Sequence, residues 1–171
     1  FIPASGEWVY SPDLIRRIEY PGWEETLNQH SGSGEVDVRQ SLDQLQAELP
    51  NVHSVNVTLA WFGDDLRAGS CTVKPGVETR EQINLPRDWK AGGRNRENAH
   101  LISRDENNRP FYGGTPDDKS VLALFDEMAT RGLSITVSPF LLMDVPAGND
   151  LPDPYGATEQ AAFPWRGRVT A

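Results

Sequence analysis

Hydrophobic residues in this chain fall into two repeats of one pattern, an amphipathic helix followed at once by an apolar strand. Val38, Leu42, Leu45 and Leu49 recur at helical spacing and make a single stripe. Asp37 is placed to cap that helix and Pro50-Asn51 to stop it. The run Val52 to Asp65 (VHSVNVTLAWFGDD) then alternates at period two. Val55, Val57, Leu59 and Trp61 take one face; Asn56, Thr58, Ala60 and Phe62 take the other, which is smaller and partly polar. Such a strand suits a parallel sheet covered on both sides. Gly63 ends it, and Asp64, Asp65 and Arg67 follow immediately.

The second repeat begins at Thr115, a suitable N-cap, with Pro116 at the first helical position and Asp117 and Asp118 near the positive end of the dipole. Val121, Leu122, Leu124, Phe125 and Met128 supply its stripe, and Gly132 suits the position just past its end. Leu133 to Met143 (LSITVSPFLLM) reads as the second strand, closed by Asp144. Pro139 lacks a ladder donor, which predicts a bulge or a break there.

Around these repeats the pattern is irregular. Residues 1–34 carry short apolar patches (Phe1-Ile2-Pro3, Trp8-Val9-Tyr10) and a flexible run from Asn28 to Gly34. Asp13 to Tyr20 fits two turns of helix, with Leu14, Ile15 and Ile18 on one side. This segment reads as a linker, either the tail of a preceding domain or a wrap around the next one, which would occupy residues 35–171. The excursion from Gly63 to Gly114 far exceeds an ordinary connection of about two to six residues between strand and helix. Thr72 to Glu78, Leu101 to Arg104 and Phe111-Tyr112 predict short strands within it, with Asn107-Asn108 as a hairpin turn. Two helix–strand units do not close a sheet: a barrel of this kind needs eight strands and a doubly wound sheet usually five or more. The strands are also too apolar for an open edge in water. The expected fold is therefore α/β, completed by strands from a longer parent polypeptide or from another chain.

Composition narrows the function. Asp and Glu number 25 against 16 Lys and Arg, a net charge of −9, which argues against a general nucleic-acid binder. Arg87, Lys90, Arg94, Arg96, Arg104 and Arg109 form a local basic cluster that reads as a solvated loop face. Cys71 is the sole cysteine, so neither an intrachain disulfide nor a cysteine metal site is expected. No apolar run reaches the roughly 18 residues of a membrane helix. His30, His53 and His100 lack ligand spacing, and Asn149, Asp150 and Asp153 form the only oxygen cluster worth weighing for Ca²⁺. No metal or other cofactor is expected.

Charged side chains just beyond the C-terminal ends of parallel strands are where α/β folds keep their chemistry. Asp64 or Asp65 would have to meet Asp144 across neighbouring strand ends to form a carboxylate pair for glycoside hydrolysis, at about 5–5.5 Å for retention or 6.5–9.5 Å for inversion. Both aspartates after Gly63 also suit a plain turn. Trp61, Arg67, Tyr155 and Trp165 are the candidate substrate contacts. Trp61 also fits core packing by its strand alternation, while Trp165 in FPWRGR lies outside any regular element.

Several longer motifs occur in order: DQLQAELPNV (Asp43 to Val52), AWFGDDLRAGSC (Ala60 to Cys71), VKPGVE (Val73 to Glu78), YGGTP (Tyr112 to Pro116), PFLLMDVPAGNDLPDPYG (Pro139 to Gly156) and FPWRGR (Phe163 to Arg168). Over residues 35–168 the chain resembles the start of the TIM-barrel-like, glycoside-hydrolase-related domain of the baseplate (host-specificity, tail-tip) protein of gene transfer agents and siphophage tails. The resemblance implies the N-terminal portion of a (β/α)8 TIM-like barrel with long βα loop insertions, preceded by an irregular linker. It implies a virion component at the tail tip, contacting the bacterial envelope, with other tail and baseplate proteins and the remainder of the parent chain as partners. Peptidoglycan or another surface glycan is the implied substrate, and a non-catalytic structural or receptor-binding module is the alternative. Barrel glycosidases of this broad clan carry their acids after the fourth and seventh strands, so the resemblance assigns no catalytic pair to these residues.

Overall fold

The structure, a computed structural model, describes residues 1–164; Trp165 and the residues after it lie outside the described part. A hairpin of β1 (Arg16–Tyr20) and β2 (Trp23–Thr26) leads to helix α1 (Asp37–Glu48) and the long strand β3 (Ser54–Gly63). The excursion holds five short strands: β4 (Gly76–Val77), β5 (Ile83–Leu85), β6 (Lys90–Ala91), β7 (Arg94–Asn95) and β8 (His100–Leu101). Helix α2 (Asp118–Thr130) and strand β9 (Ser134–Met143) complete the order. This is a mixed α/β arrangement built on a parallel β3–β9 pair. None of the described helices is long and apolar enough to cross a membrane.

The pairing of β3 with β9 runs unshifted from Ser54↔Ser134 to Gly63↔Met143. Residues opposite one another therefore share a face. Both helices pack on the odd-numbered face, where Val55, Val57, Leu59 and Ile135 meet Val38 and Leu42 of α1 and Val121, Leu124 and Met128 of α2. The even-numbered face is met by the excursion: buried Phe62 lies near His100 and Tyr112, with ring centroids 5.9 Å away in each case.

Pro139 causes neither a bulge nor a break, contrary to expectation, and the ladder explains why. The amide of Ser134 donates to His53 O and that of Asp144 to Gly63 O. With an unshifted register, the even-numbered amides of β9 face β3 and the odd-numbered ones face away. Pro139 thus lacks its N–H on the far edge of β9, where no strand pairs among the described residues. That edge strand also keeps apolar surface in water, with Val137 40% and Phe140 37% exposed.

Helix ends depart from the sequence expectation in instructive ways. Asp37 is the first residue of α1, not its cap; the cap is Val36, which offers no side-chain bond. The Asp37 carboxylate instead accepts from the backbone N–H of His30 (2.8 Å). The cap of α2 is Asp117, whose Oδ1 accepts from Ser120 N–H at 3.0 Å. Thr115 is diverted: its hydroxyl accepts from Gly76 N–H and its carbonyl from the Trp89 indole. Gly132 does close α2, at φ +75°, with Gly132 N–H bonded to Ala129 O and Leu133 N–H to Met128 O, the two-bond Schellman ending.

Residues 13–20 are not helical. Arg16–Tyr20 is β1, paired with β2 across Pro21-Gly22 and with β5 on its other side. The preceding strap wraps the molecule: Trp8 and Ile15 are buried with Trp89, Val77 and Ala91, while Tyr10 joins the helix–sheet core and donates from its hydroxyl to Thr58 O at 2.7 Å. Burial pushes the Tyr10 phenol up to about 12. Gly113 sits where an added β-carbon would lie 2.6 Å from Gly6 N, so the strap and the YGGTP turn require a residue without a side chain there.

The basic cluster is solvated only in part: Lys90, Arg94 and Arg109 are exposed, whereas Arg87 and Arg96 turn inward. Arg96 is buried and bonds Glu7, the Thr79 carbonyl and Asn84. Arg87 reaches Asp117 (3.2 Å) and Ser120 (3.0 Å). Of the expected short strands, Phe111-Tyr112 forms none; the Asn107-Asn108 turn is present, with Asn108 at φ 60° between the bridged residues Arg104 and Pro110.

The two leucines of α2 give a direct check of this packing. Leu124 is fully buried and Leu122 is 62% exposed. Leu124→Ala should destabilise the chain by about 2–5 kcal/mol. Leu122→Ala should stay within about 0.5 kcal/mol. Urea titration of both variants measures the contrast.

Candidate functional site

The C-terminal ends of β3 and β9 lie side by side, so Asp64, Asp65 and Asp144 emerge from one end of the sheet. Each carboxylate, however, is held by a separate set of partners. Asp64 accepts from Thr72 N–H (2.7 Å) and the Lys74 ammonium (2.8 Å). Lys74 is in turn bridged to β3 through paired backbone bonds with Phe62. Burial works to raise the Asp64 carboxyl, but Lys74 and the Thr72 amide outweigh it and keep it below the ordinary range.

Asp65 is buried and receives Arg67 in fork geometry, Nε to Oδ1 at 3.0 Å and Nη2 to Oδ2 at 2.6 Å. Gln160 Nε2 adds a bond to Oδ1 at 2.8 Å, while Gln160 Oε1 accepts from Leu66 N–H. The Arg67 bonds, working against burial, hold the Asp65 carboxyl far below its usual value. Arg67 and Asp65 are thus spent on one another, tying the β3 turn to the segment around Gln160.

Asp144 has the most unusual surroundings. It is 3% exposed, and its Oδ2 meets His100 Nε2 at 2.5 Å and Ser103 N–H at 2.9 Å. Its Oδ1 is buried with no hydrogen-bond partner among the described residues. Burial raises this carboxyl, yet His100 and the Ser103 amide outweigh it and the net shift is downward. Nearby Tyr112 is pushed up by burial and by the Asp144 charge, and its hydroxyl donates to Met143 O at 3.3 Å. The His100–Asp144 contact was not legible in the sequence. It joins residues 44 apart, and only the return of the excursion over the sheet end brings the imidazole into place.

The remaining candidates are dispersed. Trp61 is half-buried, its ring against Gly92, and lines a shallow groove with Leu59 and Leu122. Tyr155 is 52% exposed in the loop after β9. Trp165 lies outside the described residues. Asn149 bonds the carbonyls of Pro146 and Gln160, and among the described residues no three His, Cys, Asp or Glu side chains group to hold a metal.

No known family model matches this sequence. No curated protein matches it either.

A general acid needs a carboxyl raised toward the working pH. Asp64, Asp65 and Asp144 are all lowered. Glu7 is raised by burial, but Arg96 and the Glu78 N–H occupy it. None of the three sheet-end carboxyls is thus set up as a general acid; each instead fixes a loop to the sheet end.

A sign follows for pH. A carboxyl lowered in the fold adds stability above its unfolded value near pH 4, and that stability is lost as the pH falls toward the folded value. Thermal melts should change little between about pH 5 and 7 and drop steeply below about pH 4. Asp144→Asn should lower the melting temperature at pH 7 and flatten the acid limb. A variant as acid-sensitive as the parent chain would contradict the role given to Asp144.

Proposed function

We propose that this chain is the first part of a TIM-like barrel, of glycosidase ancestry, in the baseplate protein of a phage-like or gene-transfer-agent tail. The observation that carries the reading is the state of β9. It is a ten-residue parallel strand with two helices packed on one face of its sheet, a far edge unpaired among the described residues, and exposed Val137 and Phe140. Parallel strands of this composition occur almost only in sheets covered on both faces and continued by further strands. The ordered motifs from Asp43 to Arg168 add the family resemblance. In this reading the tail tip presents the barrel to the bacterial envelope, other baseplate proteins surround it, and peptidoglycan or a surface glycan is the target.

A second reading keeps the same barrel as a non-catalytic structural or receptor-binding module. The observation favouring it is that every aspartate at this sheet end is ionised and already engaged.

Incubation of this chain with purified peptidoglycan or a chromogenic glycoside should give no turnover, since the acid pair belongs to later strands. Activity abolished by Asp144→Asn but retained by a folded surface variant would overturn that assignment.

A further inference from the structure

The β1–β2 hairpin carries two aromatic side chains that take no part in the core. Tyr20, Pro21, Gly22 and Trp23 make its turn. Gly22 sits at φ +87°, as the third position of a type II turn requires, and proline suits the second. The turn sets Tyr20 opposite Trp23. Their rings lie within 18° of parallel with centroids 5.9 Å apart, an offset arrangement that leaves both open to water. Tyr20 is 58% and Trp23 55% exposed. A turn with little conformational freedom thus holds two bare aromatic rings side by side.

Size and charge decide what such a pair can take. An aromatic side chain offers about 150–250 Å², so the bare part of the two comes to roughly 200 Å². A protein partner covers about 800 Å² on each side. The patch does not extend along the sheet. Glu24, next to Trp23, faces the other side, together with Ile18 and the exposed Ile83. Trp23 shares its own face with Glu25 and Arg17, which pair at 2.6 Å. A lipid surface favours aromatic tips flanked by free cations. Both hairpin arginines are held instead, Arg16 by Glu24 at 2.8 Å and Arg17 by Glu19 and Glu25. Three glutamates against two arginines leave the hairpin one negative charge in excess, which also disfavours an acidic ligand.

We propose that the Tyr20–Trp23 pair is a stacking platform for a neutral saccharide chain. The C–H face of a pyranose is flat and apolar, and its footprint suits a single aromatic ring, so adjacent rings match neighbouring sugar units. Glu25 supplies an acceptor and Arg17 a donor for hydroxyls at the sugar edge, on the face that Trp23 shares. The Trp23 indole N–H and the Tyr20 hydroxyl have no hydrogen-bond partner among the described residues, and both rings are exposed. A platform without walls binds each unit weakly and suits a repetitive polymer, where equivalent units lie close at hand. The assignment stands on the hairpin alone and draws nothing from the reading of β9.

The test is titration of the whole 171-residue chain with cellotetraose, following the tryptophan indole and hairpin backbone N–H signals by NMR. The Trp23 signal should shift and saturate, while those of the buried Trp8 and Trp89 stay in place. Trp23→Ala and Tyr20→Ala, both outside the core, should each weaken binding about tenfold, equivalent to 1.4 kcal/mol. Trp23→Tyr keeps a ring and should stay within a factor of about three of the parent chain; should an alanine variant lose the hairpin, this variant and the parent's signal map decide. Tetragalacturonate, an acidic counterpart, should bind more weakly than cellotetraose. No saturable shift at Trp23, undiminished binding in both alanine variants, or a preference for tetragalacturonate would overturn the platform. So would adsorption to phosphatidylcholine vesicles that Trp23→Ala abolishes, since the pair would then serve a lipid surface. Each of these failures leaves the reading of β9 as a barrel strand standing.

Discussion

A parallel strand exposes a row of donors and acceptors on each side, and both rows must be satisfied or left to water. In this chain the constraint falls on β9. One row is matched by β3 along the full ten residues, and the other faces away from every described strand. The two helices answer only the odd-numbered face of the pair. On the even-numbered face, Ala60, Phe140 and Leu142 line an apolar cleft of about 310 Å³ with Tyr10, Phe111 and Tyr112. Among the described residues, then, the second edge of the sheet carries no strand and its second face is only partly covered, by the excursion.

The rest of the molecule is arranged around the finished side. The strap from Pro3 to Ser11 crosses the excursion and is fixed to it by charge. Glu7 meets Arg96, both buried, and Arg87 joins Asp13 to the α2 cap at Asp117. Pairs of this kind are weak evidence for net stability, but removing one partner leaves a buried charge uncompensated at a cost of about 3–5 kcal/mol. They therefore specify how the irregular segments lie. The same logic holds at the sheet end, where three aspartates each pin a different stretch: Asp64 the segment at Thr72–Lys74, Asp65 the segment at Gln160, and Asp144 the segment at His100–Ser103.

What the sequence disclosed and what it hid divide along range of interaction. α1, β3, α2 and β9 were legible because their stripes repeat within a few residues. Leu14, Ile15 and Ile18 fit helical spacing, yet Arg16–Tyr20 is the strand β1. What decides its conformation is pairing with β2 and β5, which sets Ile18 opposite Glu24 on one side and the distant Ile83 on the other. Thr115 and Asp37 have the right chemistry for caps, and tertiary partners at Gly76 and His30 claim their side chains instead. Within the basic cluster Arg87 and Arg96 leave the solvated face because Asp117 and Glu7 hold them, and nothing near them in the chain announces those partners. His100 could not have been chosen from spacing, since its partner is supplied by the fold.

Pro139 sharpens the central question. Its missing N–H lies on the open edge, so a strand joining there would find no donor at that point and would have to turn its own acceptor to water or bulge around it. The backbone parity of β9 makes the open edge measurable by amide hydrogen exchange at single residues. In this chain the amides of Thr136, Ser138, Phe140 and Leu142, facing β3, should exchange slowly, while those of Ile135, Val137 and Leu141 exchange fast; adding a strand at that edge should protect the second set too. Equal protection of both sets in the chain alone would contradict the account, because β9 would then already be complete.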